Sequence, residues 1–185
     1  MAATLLALFL TLAAEPALAH LELNAYYSSG TMNTGSAETN TSMFIEGALG
    51  FTIDKKGQYL VGWGYNMVST TEAGTGTTVY SSTQMGPRFL WFVDKSKNWS
   101  VAFAYYLVTS ATYTPDGGTA EKWKGTGLKL DAGYNFPVND SFSLGVRMNY
   151  SSATYIEKLT NDTTYEQVSY TNSQIYPSLY LVWLF

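Results

Sequence analysis

Gln174-Ile-Tyr-Pro-Ser-Leu-Tyr-Leu-Val-Trp-Leu-Phe185 closes the chain, and its pattern decides how the rest is read. Counted back by twos, Phe185, Trp183, Leu181, Leu179, Pro177 and Ile175 are all apolar. The interleaved Leu184, Val182, Tyr180, Ser178, Tyr176 and Gln174 become more polar upstream. A period of two is the mark of a β-strand, whose successive side chains point to opposite faces. The run is also long enough to cross a bilayer as a tilted strand, which takes about 9–11 residues. By itself it fits either a strand buried in a soluble sandwich or one whose apolar face meets lipid.

Seven further runs share the alternation. Their apolar sets are Leu21–Tyr27, Met43–Ile53, Tyr59–Met67, Met85–Val93, Trp99–Leu107, Leu128–Phe136 and Phe142–Tyr150, each taken by twos. In the fifth run the opposite face reads Ser100, Ala102, Ala104, Tyr106 and Val108. None of the apolar faces carries a charge. Within these spans Glu22, Glu46, Arg88, Lys129, Asp131 and Arg147 all fall on the other face. A soluble barrel tolerates Lys or Glu on its outside, whereas lipid does not. The expected fold is therefore all-β: a transmembrane up-and-down antiparallel β-barrel of eight strands, apolar side out.

Composition agrees. The chain has 185 residues, enough for one barrel, and is 46% hydrophobic but only 13% charged. That charged share is about half the usual one. No apolar stretch reaches the roughly 18 residues that a spanning helix needs. A net charge of −4 argues against a nucleic-acid partner. Met1–Ala19 reads as a secretory signal peptide, with Ala17-Leu-Ala19 as the cleavage site and 20–185 as the barrel, although no Lys or Arg precedes its apolar run. The chain has no Cys, so no disulfide framework is expected.

The connections alternate in kind. Asp54-Lys-Lys-Gly57, Asp94-Lys-Ser-Lys-Asn98 and Pro137-Val-Asn-Asp140 read as tight turns. Between them, Ser29–Ser42, Thr70–Thr78, Thr114–Glu121 and Glu157–Thr164 read as longer loops. Phe51, Tyr59, Trp91, Trp99, Phe136 and Phe142 stand beside the tight turns and are expected to form an aromatic girdle. Tyr27, Tyr65, Tyr80, Tyr113, Tyr155 and Tyr170, at the opposite strand ends, suggest a second girdle.

Gly133-Tyr-Asn-Phe-Pro-Val-Asn-Asp-Ser-Phe-Ser-Leu-Gly145 resembles the strand–turn–strand units of small outer-membrane barrels of Gram-negative bacteria, the OmpA-domain and OmpX type. The closing run resembles that family's terminal strand. The resemblance implies that Leu181, Trp183 and Phe185 are read by the barrel-assembly machinery. It also implies tight turns on the periplasmic side and a monomer in contact with outer-membrane lipid and lipopolysaccharide. Such barrels host unrelated activities, so the likeness speaks for fold rather than role.

Chemistry-bearing residues are few. His20 is the one histidine, expected ahead of the first strand where no rigid element would orient it as a base. With no Cys and one His, no metal site or cofactor is expected. Two readings of function remain. One is a non-catalytic structural or surface-interaction barrel whose outside partner carries no sequence motif. The other is a narrow conduit or binder for small apolar molecules, of the OmpW type, suggested by inward Leu184, Val182, Leu90 and Phe92 beside Gly50, Gly62, Gly64 and Gly133. Counting up from the turns puts Glu46, Arg88, Lys129, Asp131 and Arg147 about 13–18 Å above the periplasmic rim, in one interior layer. Asp131 with Arg147 is the first pair expected, with Glu46 available to Arg88 or Lys129. Eight strands leave room only for side chains, so this layer should plug the lumen.

Overall fold

The computed structural model describes residues 19–33, 37–74, 76–160 and 164–185. Eight strands follow one another: β1 (Ala19–Asn33), β2 (Ala37–Thr52), β3 (Tyr59–Ala73), β4 (Thr77–Phe92), β5 (Trp99–Thr114), β6 (Glu121–Pro137), β7 (Phe142–Thr160) and β8 (Thr164–Leu184). Each pairs antiparallel with the next, and β8 returns to β1 to close the barrel. All eight expected strands are present. The expected leader lies outside the described residues except for Ala19, which begins β1.

The barrel is inside-out. Leu49, Trp63, Ile175 and Leu179 are exposed on the wall, with Leu179 at 71%, while Glu22, Glu46, Arg88, Lys129, Asp131 and Arg147 are buried inside. Only a surrounding apolar medium makes that distribution favourable.

Two turns share one construction. Gly57 N–H donates to Asp54 O and Lys97 N–H to Asp94 O, and both Gly57 and Lys97 adopt positive φ. In each, the Asp carboxylate accepts backbone N–H groups from the strand that follows: Gln58 and Tyr59 for Asp54, Asn98 and Trp99 for Asp94.

The structure corrects three readings. Among the described residues, three of the four expected loops (Ser29–Ser42, Thr70–Thr78 and Glu157–Thr164) are largely strand, because their Ser and Thr continue the ladders, while Thr114–Glu121 remains a loop. Ser42 meets Thr70 at 3.4 Å and Ser29 meets Thr41 at 3.5 Å, and the β7–β8 ladder continues the pattern where Ser152 meets Ser173 at 2.9 Å. Such cross-strand hydroxyl pairs and the β-preference of Thr favour extension over looping. At this end of the barrel, the connection between β5 and β6 is Pro115–Ala120, turned by a hydrogen bond from Gly118 N to Pro115 O. Second, Val108 points outward, 51% exposed, next to outward Leu107. The register with both neighbouring strands shifts here, so β5 carries a bulge. Beyond it the inward set switches to Thr109, Ala111 and Tyr113. Third, His20 is not ahead of the first strand but within it, paired with Leu184 and fully buried.

The closing seam is short. Among the described residues it pairs His20–Ala25 with Leu184–Leu179, and below it Ala19 and Phe185 exchange two backbone hydrogen bonds. By contrast, the β1–β2 ladder runs from Ala19 to Asn33.

Candidate functional site in the lumen and its mouth

The middle of the lumen is a network of three acids and three bases. Arg88 on β4 is central: Nε donates to Glu22 at 2.9 Å, and Nη1 donates to Glu46 at 3.3 Å and to Asp131 at 3.0 Å. Lys129 bonds Glu46, and Arg147 bonds Asp131. All five residues expected in one layer are thus brought together. Their formal charges cancel only when Glu22 is added. The count from tight turns misses it because none of the three tight turns borders β1; pairing β1 against the closing strand places it.

Neutral groups complete the layer. Tyr106 donates to Glu46 at 2.6 Å and Tyr180 to Glu22 at 3.3 Å. Asn24 bridges Glu46 at 3.3 Å and Asn149 at 3.1 Å. The Arg147 guanidinium lies over the Tyr180 ring at 3.3 Å and donates to Ser100 at 3.0 Å. Space for it comes from Gly133, its cross-strand partner, where a Cβ would lie 2.5 Å from Arg147 Cγ. Paired and hydrogen-bonded, these charges hold one another in place; an unpaired one would be costly.

The layer is packed from both ends. Towards the tight turns, Leu60, Leu90, Phe92, Val182 and Leu184 form one apolar cluster with Ala102 and Tyr180. The inward Leu184, Val182, Leu90 and Phe92 therefore fill the lumen by touching one another. His20 sits at this end with Nε2 3.2 Å from Glu22. Towards the hairpin end, Phe44 stacks on Tyr176 at 4.0 Å and Tyr26 tilts against both. Above them the Tyr80 and Tyr155 hydroxyls hydrogen-bond each other.

The expected second girdle is only partly a girdle. Tyr27 and Tyr65 are outward and exposed. Tyr80, Tyr113 and Tyr155 turn inward around Trp123, and Tyr170 meets its ring edge-on. For Tyr113 the cause is the β5 bulge, which exchanges the two faces. These rings wall a cavity of about 420 Å³ at the mouth, together with Thr70, Glu72, Asn172 and Gln174. Grouping the tyrosines by strand end alone misses this site; alternation carried further already puts Tyr80, Trp123, Tyr155 and Tyr170 on inward faces, and only Tyr113 needs the bulge.

The residues beside the tight turns are outward as a set. Phe51, Tyr59, Trp91, Trp99 and Phe136 are exposed and Phe142 is half-buried. Tyr59 stacks with Trp91 at 6.3 Å, and Trp183 tilts against Phe185 at 5.5 Å. Leu181, Trp183 and Phe185 share the outward face of β8. Among the described residues no three acidic or histidine side chains converge on a metal site.

An apolar belt, an aromatic rim and a charged lumen in an eight-stranded ring define a small β-barrel of the bacterial outer-membrane class. Solved structures agree at the level of fold. The chain superimposes on Neisserial surface protein A with a TM-score of 0.53 and 14% identity, covering 90% of this chain and 97% of that one. The β domain of the Bordetella autotransporter BrkA gives 0.47 and 9% identity, covering 89% and 69%. No protein-family model matches the sequence, and no curated protein matches it.

Proposed function

We propose that the protein is a non-catalytic outer-membrane barrel that keeps its lumen closed and presents its rim to partners outside the cell. The observation that carries this reading is the neutral six-charge network, packed between an apolar cluster and a layer of rings. The gap among Phe44, Val68, Tyr80 and Gln84 is about 10 Å³, room for about one water. A conduit for apolar molecules has less support, because the inward Leu184, Val182, Leu90 and Phe92 are spent on mutual packing. Outer-membrane lipid and lipopolysaccharide would cover the apolar belt of a monomer. Outward Lys124, on Tyr165 at 2.7 Å, would meet headgroups at the hairpin end. The assembly machinery would read Leu181, Trp183 and Phe185, as the family likeness suggests.

Planar-bilayer recording tests the closed lumen: no steady conductance is expected, and stable open-channel currents would overturn it. Hydrolysis of lipid A or phospholipid by the purified protein, lost on His20→Ala, would overturn the non-catalytic half.

A further inference from the structure

We infer that the cavity at the mouth is a saccharide site, taking one or two pyranose rings of a neutral or amino sugar. The inference rests on the reading that this rim faces outward from the cell.

Its lining mixes two chemistries. Tyr80, Tyr113, Trp123 and Tyr170 come from four strands and present ring carbons, the three tyrosines with hydroxyls at their tips. Beside them Glu72, and Asn172 and Gln174 on the same strand face as Tyr170, supply carboxylate and amide groups. A pyranose has the matching shape: a face of C–H bonds that lies on an aromatic ring, and an edge of hydroxyls that both donate and accept. Gln174 donates to Asn172 at 3.3 Å, and the remaining donors and acceptors of these amides would be left without partners under a purely apolar tail. An anion finds no positive charge among the described lining residues. Among the cavity-lining described residues the one formal charge is Glu72, so phosphate and acidic sugars are repelled while a protonated amine is welcome.

The rings are held before any ligand arrives. Trp123 stacks on Tyr113 at 5.2 Å, is flanked by Tyr155 at 5.4 Å, and donates its N–H to Glu121 at 3.1 Å. Glu121 is anchored in turn by Lys158 at 3.0 Å. Glu72 accepts from Asn40 at 3.4 Å through Oε1. Fixed side chains lower the ordering cost of binding. A volume of about 420 Å³ falls in the small-ligand range of roughly 300–1,000 Å³. The floor is closed by the Tyr80–Tyr155 pair and the rings beneath it, so a bound sugar would be held rather than passed through.

Intrinsic fluorescence isolates the site, because Trp63, Trp91, Trp99 and Trp183 all lie on the outward wall and only Trp123 lines the cavity. The full chain, held in a detergent without a sugar headgroup, is titrated with maltose, lactose, N-acetylglucosamine and glucosamine, with calorimetry in parallel. A saturable signal with Kd of about 1 mM or tighter is expected for at least one sugar. Exposed Tyr170→Ala should weaken it at least tenfold while the folded barrel keeps its heat-modifiable migration. Glu72→Gln should weaken glucosamine selectively. Absence of saturable binding for all four sugars, or unchanged affinity in both variants, overturns the inference. Bilayer recording of the same samples separates the two ideas. Silent bilayers without sugar binding leave the closed-lumen reading standing, and steady currents with binding leave the saccharide site standing.

Discussion

Lys97 occupies in the β4–β5 turn the position that Gly57 holds in the β2–β3 turn, and both have φ near +60°. A side chain in that conformation costs about 1–2 kcal/mol. Lys97 recovers part of this by lying 5.9 Å over the Phe92 ring. Lys97→Gly should therefore stabilise the barrel by about 0.5–1 kcal/mol in reversible urea unfolding. In the same turn, the Trp99 N–H bond to Asp94 holds that carboxyl below its ordinary 3.8. A lowered folded pKa means stabilisation that is present above pH 3.8 and is lost as pH falls through the folded value. The Trp99 amide should thus exchange faster in acid below that pH, and Asp94→Asn should remove the dependence. Inside, Asp131→Ala strands Arg147 and removes one of the three carboxylates around Arg88, and should cost about 3–5 kcal/mol. Adding Arg147→Ala should cost less than the sum of the two single changes; strictly additive losses in a double-mutant cycle would show that the two charges are independently hydrated.

At the scale of the element, the tight turns made most of the interior legible. They supply a zero of height for β2, β4, β6 and β7, and from it the five charges could be counted into one layer. Glu22 escaped because none of the three tight turns borders β1. The β5 bulge escaped for another reason. Leu107 and Val108 are both apolar, so the extra outward residue leaves no break in the pattern, and the inward Thr109, Ala111 and Tyr113 differ little in polarity from Ser110 and Thr112. That one residue displaces Tyr113 from the wall to the mouth, so alternation places Tyr80, Trp123 and Tyr170 of the saccharide site inward but not Tyr113. Strand extension was hidden too, since Ser and Thr suit loops and cross-strand pairs alike. One hairpin tip does reach a neighbour: Thr77 N–H donates to Asp116 at 3.0 Å. Replacing Pro115–Ala120 by Asn-Gly should leave the barrel folded by heat-modified migration and abolish whatever partner binding depends on the rim.

For the whole molecule, the lipid-facing belt and the lumen impose opposite rules on alternate residues, and that is why the fold was legible from charge placement. Phe185 stands where both rules end, outward at the rim and hydrogen-bonded through its backbone to Ala19. Phe185→Ser should lower the yield of folded barrel in cells while leaving detergent refolding of the pure chain largely intact; equal yields in cells would remove the assembly role.

The short seam also has a consequence in time. Seven of the pairings join strands adjacent in sequence and can form as each hairpin is made. The eighth joins His20–Ala25 to Leu184–Leu179, far apart in sequence, and so closes the longest loop of the eight. A curled, open sheet with seven ladders in place is thus the natural last intermediate, and locking the seam is the slow step. The same few pairs are where the ring would part first under load, making the seam a latch that is last to engage and first to release.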